Sequence, residues 1–156
     1  MAMGYRHYKR WLFVVSFFAN EKKAHYLKHA EKQNGKMESE DIKMTEQEFM
    51  YEAKGQTLVI HLPKELDHHN CRNLKYETDL LLAENYITKI VFDFSGTVFM
   101  DSSGIGVLLN RYKQMERSGG KVAICGAGAQ ILRVLTIGGM GKLVPRYNSM
   151  EEAIAG

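Results

Sequence analysis

The stretch IVFDFSGTVFMDSSGIGVLL, residues 90–109, contains the change of hydrophobic period that decides the fold. Ile90, Val91 and Phe92 form an unbroken β-branched and aromatic run, the pattern of a strand covered on both faces. Beyond Gly104 the apolar residues recur at helical spacing, with Ile105, Leu108, Leu109, Tyr112 and Met115 on one face. Asp101, Ser102, Ser103 and Gly104 stand between the two periods. A strand running into a helix is half of a parallel crossover, and the carboxyl edge of such a sheet is where function gathers. A helix cap, a nucleophile and a phosphate acceptor all fit a serine pair at this place. As a cap, Ser102 or Ser103 would accept from the amides of Gly104 and Ile105. As an acceptor, a serine here would gain negative charge at a helix N-terminus, which the fold tolerates. Ser102 is expected at the loop edge and Ser103 with its side chain tied to the first turn.

Both flanks continue the alternation. FMYEAKGQTLVIHL, residues 49–62, predicts two short strands about a turn centred on Gly55. HHNCRNLKYETDLLLAEN, residues 68–85, predicts a helix capped by Asn70, with Leu74, Thr78, Leu81 and Leu82 on one face. Residues 95–100 read as a loop. The helix after the serine pair ends at Gly119 and Gly120. KVAIC is a further strand, and AQILRVLTIGG a helix with Ile131, Val134 and Leu135 on one face. KLVPRY is an edge strand, because Pro145 removes a ladder donor, and SMEEAIAG is a last helix capped by Ser149. The order is β-β-α-β-α-β-α-β-α, an α/β fold with a mixed, mostly parallel sheet and helices packed against it. No internal repeat is evident.

Composition sets the outer bounds. The chain has 156 residues, 45% hydrophobic and 25% charged, enough for one globular domain. The net charge of +3 is uneven: residues 1–45 carry +4 and the remainder −1. A nearly neutral regular region is poor material for a phosphate-backbone binder, so no direct nucleic-acid contact is expected. Residues 1–45 read as a flexible or partly helical extension. Their basic start and apolar Trp11–Ala19 stretch also fit a membrane-touching segment, and Met37 or Met44 would serve as later starts. No membrane contact is expected of residues 46–156. Cys71 and Cys125 lie far apart, outside any metal-ligand spacing, and read as reduced thiols of a cytoplasmic protein.

Other motifs are weaker. A nucleophile elbow needs glycine two residues before the serine, where this chain has Met100. Gly126 and Gly128 begin a GxGxxG pattern that fails at Ile131, and IGGMGK lacks the Walker spacing. Glu65, Asp67, His68 and His69 group an acid pair with two histidines before a helix. Adjacent residues seldom converge on one ion, so the reading is a capped loop on the same rim as Ser102, with no metal and no cofactor.

KELDHHN, IVFDFSGTVFMDSSGIGVLLNRYKQM and GGKVAICGAGAQILRVLTIGGMGKLV resemble the anti-sigma factor antagonists, nearest to the sporulation anti-sigma-F type. The resemblance covers about residues 46–155 and implies the STAS fold. It implies a non-enzymatic partner switch in transcription regulation. The unphosphorylated antagonist binds an anti-sigma factor that is also a serine kinase and so releases the sigma factor. Phosphorylation of the serine after the aspartate, here Ser102, turns it off, and a serine phosphatase resets it. Asp101, Ser103 and Gly104 would shape the loop, with Asp67, His68 and His69 as docking residues. The rivals are a STAS phosphoprotein of a general stress pathway and a small nucleotide-binding or serine-nucleophile domain. The chain departs from the family in residues 1–45, and in Pro63–Lys64, where a small residue and glycine are usual.

Overall fold

In the computed structural model the described residues are 50–156, and the expectations for residues 1–45 fall outside them. Strands β1 (Met50–Lys54) and β2 (Thr57–His61) form an antiparallel hairpin. Its turn needs the left-handed backbone of Gly55, at φ +63°. Strands β4 (Lys89–Asp93), β6 (Lys121–Cys125) and β7 (Arg146–Tyr147) extend the sheet in parallel, in the order β1-β2-β4-β6-β7. The mixed, mostly parallel sheet is the expected one.

Strand pleating divides the core. Val59, Val91 and Ala123 are paired neighbours on one face, joined by Cys125 further along β6, and Ala153 of α4 (Met150–Ala155) packs there. Leu58, Ile60, Ile90, Phe92, Val122 and Ile124 alternate with them and fill the opposite face; all are buried. Helices α1 (His68–Glu84), α2 (Ser102–Arg117) and α3 (Ala129–Ile137) supply the other apolar stripes. β4 is buried along its whole length, which explains why its sequence does not alternate.

Four local expectations are corrected. First, residues 95–100 are not wholly loop. Phe99–Met100 is a strand, β5, paired in parallel with β3 (Glu65–Leu66) in a separate two-stranded sheet. Two-residue strands are too short to show a period. Second, α1 starts at His68 as expected, but Asn70 is not its cap. Its cap is Asp67, whose Oδ1 accepts from the amide of Asn70 at 2.9 Å. Asn70 lies inside the first turn and donates its side-chain amide to the carbonyl of Glu65. Third, the buried stripe of α2 is Gly104, Val107, Leu108, Arg111 and Met115; Ile105, Leu109 and Tyr112 are half-buried. Similarly, Leu82 of α1 is half-buried, while Cys71 joins Leu74, Thr78 and Leu81 inside. Fourth, a 3-10 turn (Met140–Lys142) occupies the start of the expected edge strand, leaving β7 only two residues.

Arg111 is 1% exposed. It sends Nη2 to the carbonyl of Lys75 at 2.7 Å and pairs Nη1 with Asp79 Oδ1 at 2.6 Å. Two helices are thereby fastened by one side chain, through charge-assisted bonds.

Candidate functional site

Two loops leave the sheet side by side. From β2 the chain passes through Pro63 and Lys64 into β3; from β4 it turns at Phe94–Thr97 into β5. Thr97 Oγ1 donates to the carbonyl of Pro63 at 2.8 Å, and the amide of Val98 donates to the carbonyl of Lys64 at 2.8 Å. The pairing sets Leu66 opposite Met100, and Asp101 donates its amide to the carbonyl of Leu66 at 3.3 Å. Each strand then ends in an aspartate that starts a helix.

The two caps share one backbone conformation. Asp67 has φ −97° and ψ −176°, and Asp101 has φ −97° and ψ −175°. Asp101 Oδ1 accepts from the amide of Ser103 at 2.8 Å. The cap of α2 is therefore Asp101, not Ser102 or Ser103, both of which lie within the helix. Gly104 permits the close packing: a β-carbon there would lie 2.4 Å from Met100 Cγ and 3.2 Å from Leu66 Cδ2. The repeated strand–aspartate–helix unit is only local, and no sequence identity beyond the aspartate announces it.

Asp67, His68 and His69 are thus brought beside Asp101, Ser102, Ser103 and Gly104. Ser102, the first residue of α2, is exposed, and its hydroxyl makes no hydrogen bond among the described residues. Ser103 is half-buried, and its hydroxyl lies 3.4 Å from His68 Nδ1, across to α1 rather than along its own first turn. His69 is exposed, its ring centroid 6.2 Å from that of His68. Both aspartate side chains serve as caps. Cys71 lies beneath this rim, with its thiol pushed up to about 12 by burial and then by the charges of Asp101 and Asp67. A thiol so raised is a core group, not a nucleophile.

The sequence reading missed the apolar border. Val98 is 52% and Phe99 44% exposed immediately before Asp101. Ile137 and Leu143 are also exposed. Gly138, next to Ile137, abuts Ile105, one helical turn beyond Ser102: a β-carbon on Gly138 would lie 2.8 Å from Ile105 Cδ1. Exposed apolar residues beside a small polar centre are the composition of a protein-binding surface. The available signal was the pair Val98–Phe99 in a segment read as loop.

The fold and this rim together define a small α/β module with an exposed, partly apolar rim at the carboxyl edge of its parallel strands. The STAS domain family matches residues 48–153. An anti-sigma F factor antagonist from Paenibacillus polymyxa is 34% identical over 97 residues, covering 62% of this chain and 83% of that protein. Another, from Lysinibacillus sphaericus, is 30% identical over 86 residues, covering 55% and 74%. Among solved structures, the anti-sigma factor antagonist SpoIIAA in its unphosphorylated form aligns with a TM-score of 0.63 at 30% identity, over 69% of this chain and 93% of that one. The phosphorylated form of the Bacillus cell fate determinant SpoIIAA aligns at 0.58 and 29% identity, over 69% and 97%. The chain belongs to the STAS domain family and, within it, to the anti-sigma factor antagonists.

Proposed function

We propose that this protein is a partner switch, not an enzyme. Unphosphorylated, it docks through the paired helix starts onto an anti-sigma factor that is also a serine kinase, and so frees a sigma factor. Phosphorylation of Ser102 ends the interaction, and a serine phosphatase restores it. Residues 46–156 form the switching domain, with residues 1–45 as an appended extension, and the protein works in the cytoplasm.

The observation that carries this reading is Ser102: an exposed hydroxyl, unengaged among the described residues, at the first position of α2 and beside exposed Phe99. A phosphate there adds about −1.5 to −2 charge and three acceptor oxygens. The helix N-terminus favours that charge by roughly 0.3–1 kcal/mol, so the domain keeps its fold. The partner, fitted to a neutral hydroxyl, must instead desolvate or repel the charge. That SpoIIAA, a structural relative, was solved in both unphosphorylated and phosphorylated forms supports the reading. Asp67, Asp101 and Gly104 shape the surface, while His68, His69 and Ser103 contribute contact atoms.

Calorimetry against the kinase with ADP tests it. Ser102→Ala is expected to bind like the unmodified protein, Ser102→Asp more weakly, and the phosphorylated protein weakest. Equal affinity for all four forms would remove Ser102 from the switch.

A further inference from the structure

Two adjacent serines in one helical turn pose a selection problem, since either hydroxyl could take a phosphoryl group. The structure treats them differently. Ser102 is exposed and unengaged among the described residues, whereas Ser103 is half-buried, with its amide held by Asp101 at 2.8 Å and its hydroxyl 3.4 Å from His68 Nδ1. His68 reaches Ser103 because β3 and β5 pair in register and bring the two caps alongside. Gly104, pressed against Met100 and Leu66, removes the bulk that would force the helix starts apart.

We infer that His68 is a positioning residue that sets phosphoacceptor choice: it holds the Ser103 hydroxyl across the two helix starts and leaves Ser102 as the hydroxyl able to reach phosphorus. This deepens the proposed function and rests on it. The contact works in either imidazole tautomer. With Nδ1 protonated, it occupies a lone pair of Ser103; with Nδ1 bare, it fixes the direction of the Ser103 proton. In both cases the contact holds the Ser103 oxygen toward α1, so Ser103 must turn before it can take the place of the Ser102 hydroxyl at phosphorus. In the transfer itself, the serine oxygen forms the new bond to the γ-phosphorus of ATP, the bond to the β-phosphate oxygen breaks, and ADP leaves. The serine proton goes to a base of the kinase. No part of that step needs His68.

Intact-mass and tandem mass spectrometry of the full chain, after incubation with its serine-kinase anti-sigma factor and ATP, provide the test. The unmodified protein should carry phosphate on Ser102, and Ser102→Ala should take almost none. His68→Ala alone should raise the ratio of phosphate on Ser103 to phosphate on Ser102 about five-fold, the scale of one hydrogen bond's net contribution, and that ratio within one docked protein does not depend on how tightly the kinase binds. A Ser103-to-Ser102 ratio that is equal with and without His68 overturns the inference while leaving the Ser102 reading in place. Failure of the unmodified protein to take phosphate on Ser102 overturns that reading instead. A second measurement needs no kinase. The Hα–Hβ couplings of Ser103 should report one rotamer in the unmodified protein and an average in His68→Ala. Unchanged couplings refute the inference whatever the kinase does. His68 is exposed, so a retained melting point is expected to accompany the loss of selectivity.

Discussion

Gly104 and Gly106 sit two residues apart in α2, and alanine should act oppositely at the two. A β-carbon on Gly104 would lie 2.4 Å from Met100 Cγ and 2.8 Å from its sulfur, in a site where Met100 is 4% exposed. Overpacking of this kind costs about 1–3 kcal/mol, more than the roughly 1 kcal/mol that alanine gains over glycine in a helix. Nothing lies within 4 Å of the corresponding position on Gly106. Urea unfolding should therefore show a lower midpoint for Gly104→Ala and a higher one for Gly106→Ala, with unchanged slopes. Equal shifts would mean that Met100 moves aside freely. Sequence reading located the polar centre of this turn but misplaced its cap. Asp, Asn and Ser all cap well, and hydrophobic period does not resolve a boundary to one residue. The hydroxyl of Ser103 was expected to bond locally. Its actual neighbour, His68, lies 35 positions away, a proximity that follows only from strand pairing.

The end of β4 is the element on which the Ser102 segment hangs. Asp93 is nearly buried there, and its carboxylate pairs with His61 Nδ1 at 2.7 Å and accepts from the amide of Ser95 at 3.0 Å and from the Ser95 hydroxyl. Burial alone would raise its pKa, but the bonds from Ser95 and the contact with His61 outweigh it and hold the carboxyl below the ordinary 3.8. A depressed folded-state pKa contributes stability that is present above the unfolded value and lost as pH falls through the folded one. The stability advantage of the unmodified protein over Asp93→Asn should therefore be present at about pH 5 and shrink below about pH 4. Urea midpoints of both proteins across that range measure it, and an advantage that grew on acidification would reverse the assignment. The four five-residue strands and the helices were legible because each shows its period, and the two-residue β7 because Pro145 marked an edge there. The two-residue strands β3 and β5 were not, since a pair of residues has no periodicity and their stability comes from each other.

From Met50 onward, the strands and helices bury their apolar faces against one another, as the core from Leu58 to Ala153 shows. The full chain and a chain starting at Met44 are therefore expected to melt within about 5 °C of each other; a larger difference, on the order of 1 kcal/mol, would mean that the preceding residues add to the fold. Among the described residues no helix is long and apolar enough to cross a membrane. The order of the longer elements was legible from Met50 onward. The exposure of Val98, Phe99, Ile137 and Leu143 was not, because apolar residues look like core residues in one dimension. The clasp between β3 and β5 has a consequence for motion. Its few backbone bonds, from Val98 and Phe99 to Lys64 and from Asp101 to Leu66, anchor both helix starts at once. Opening it exposes the amides of Asn70 and Ser103 in one event, as a single cooperative unit. Native-state hydrogen exchange should show these two amides sharing one opening free energy, and Asp67→Ala should lower protection at Ser103 as well as at Asn70. A partner then meets the surface whole or not at all, and its apparent affinity is scaled by the fraction of time the clasp stays shut.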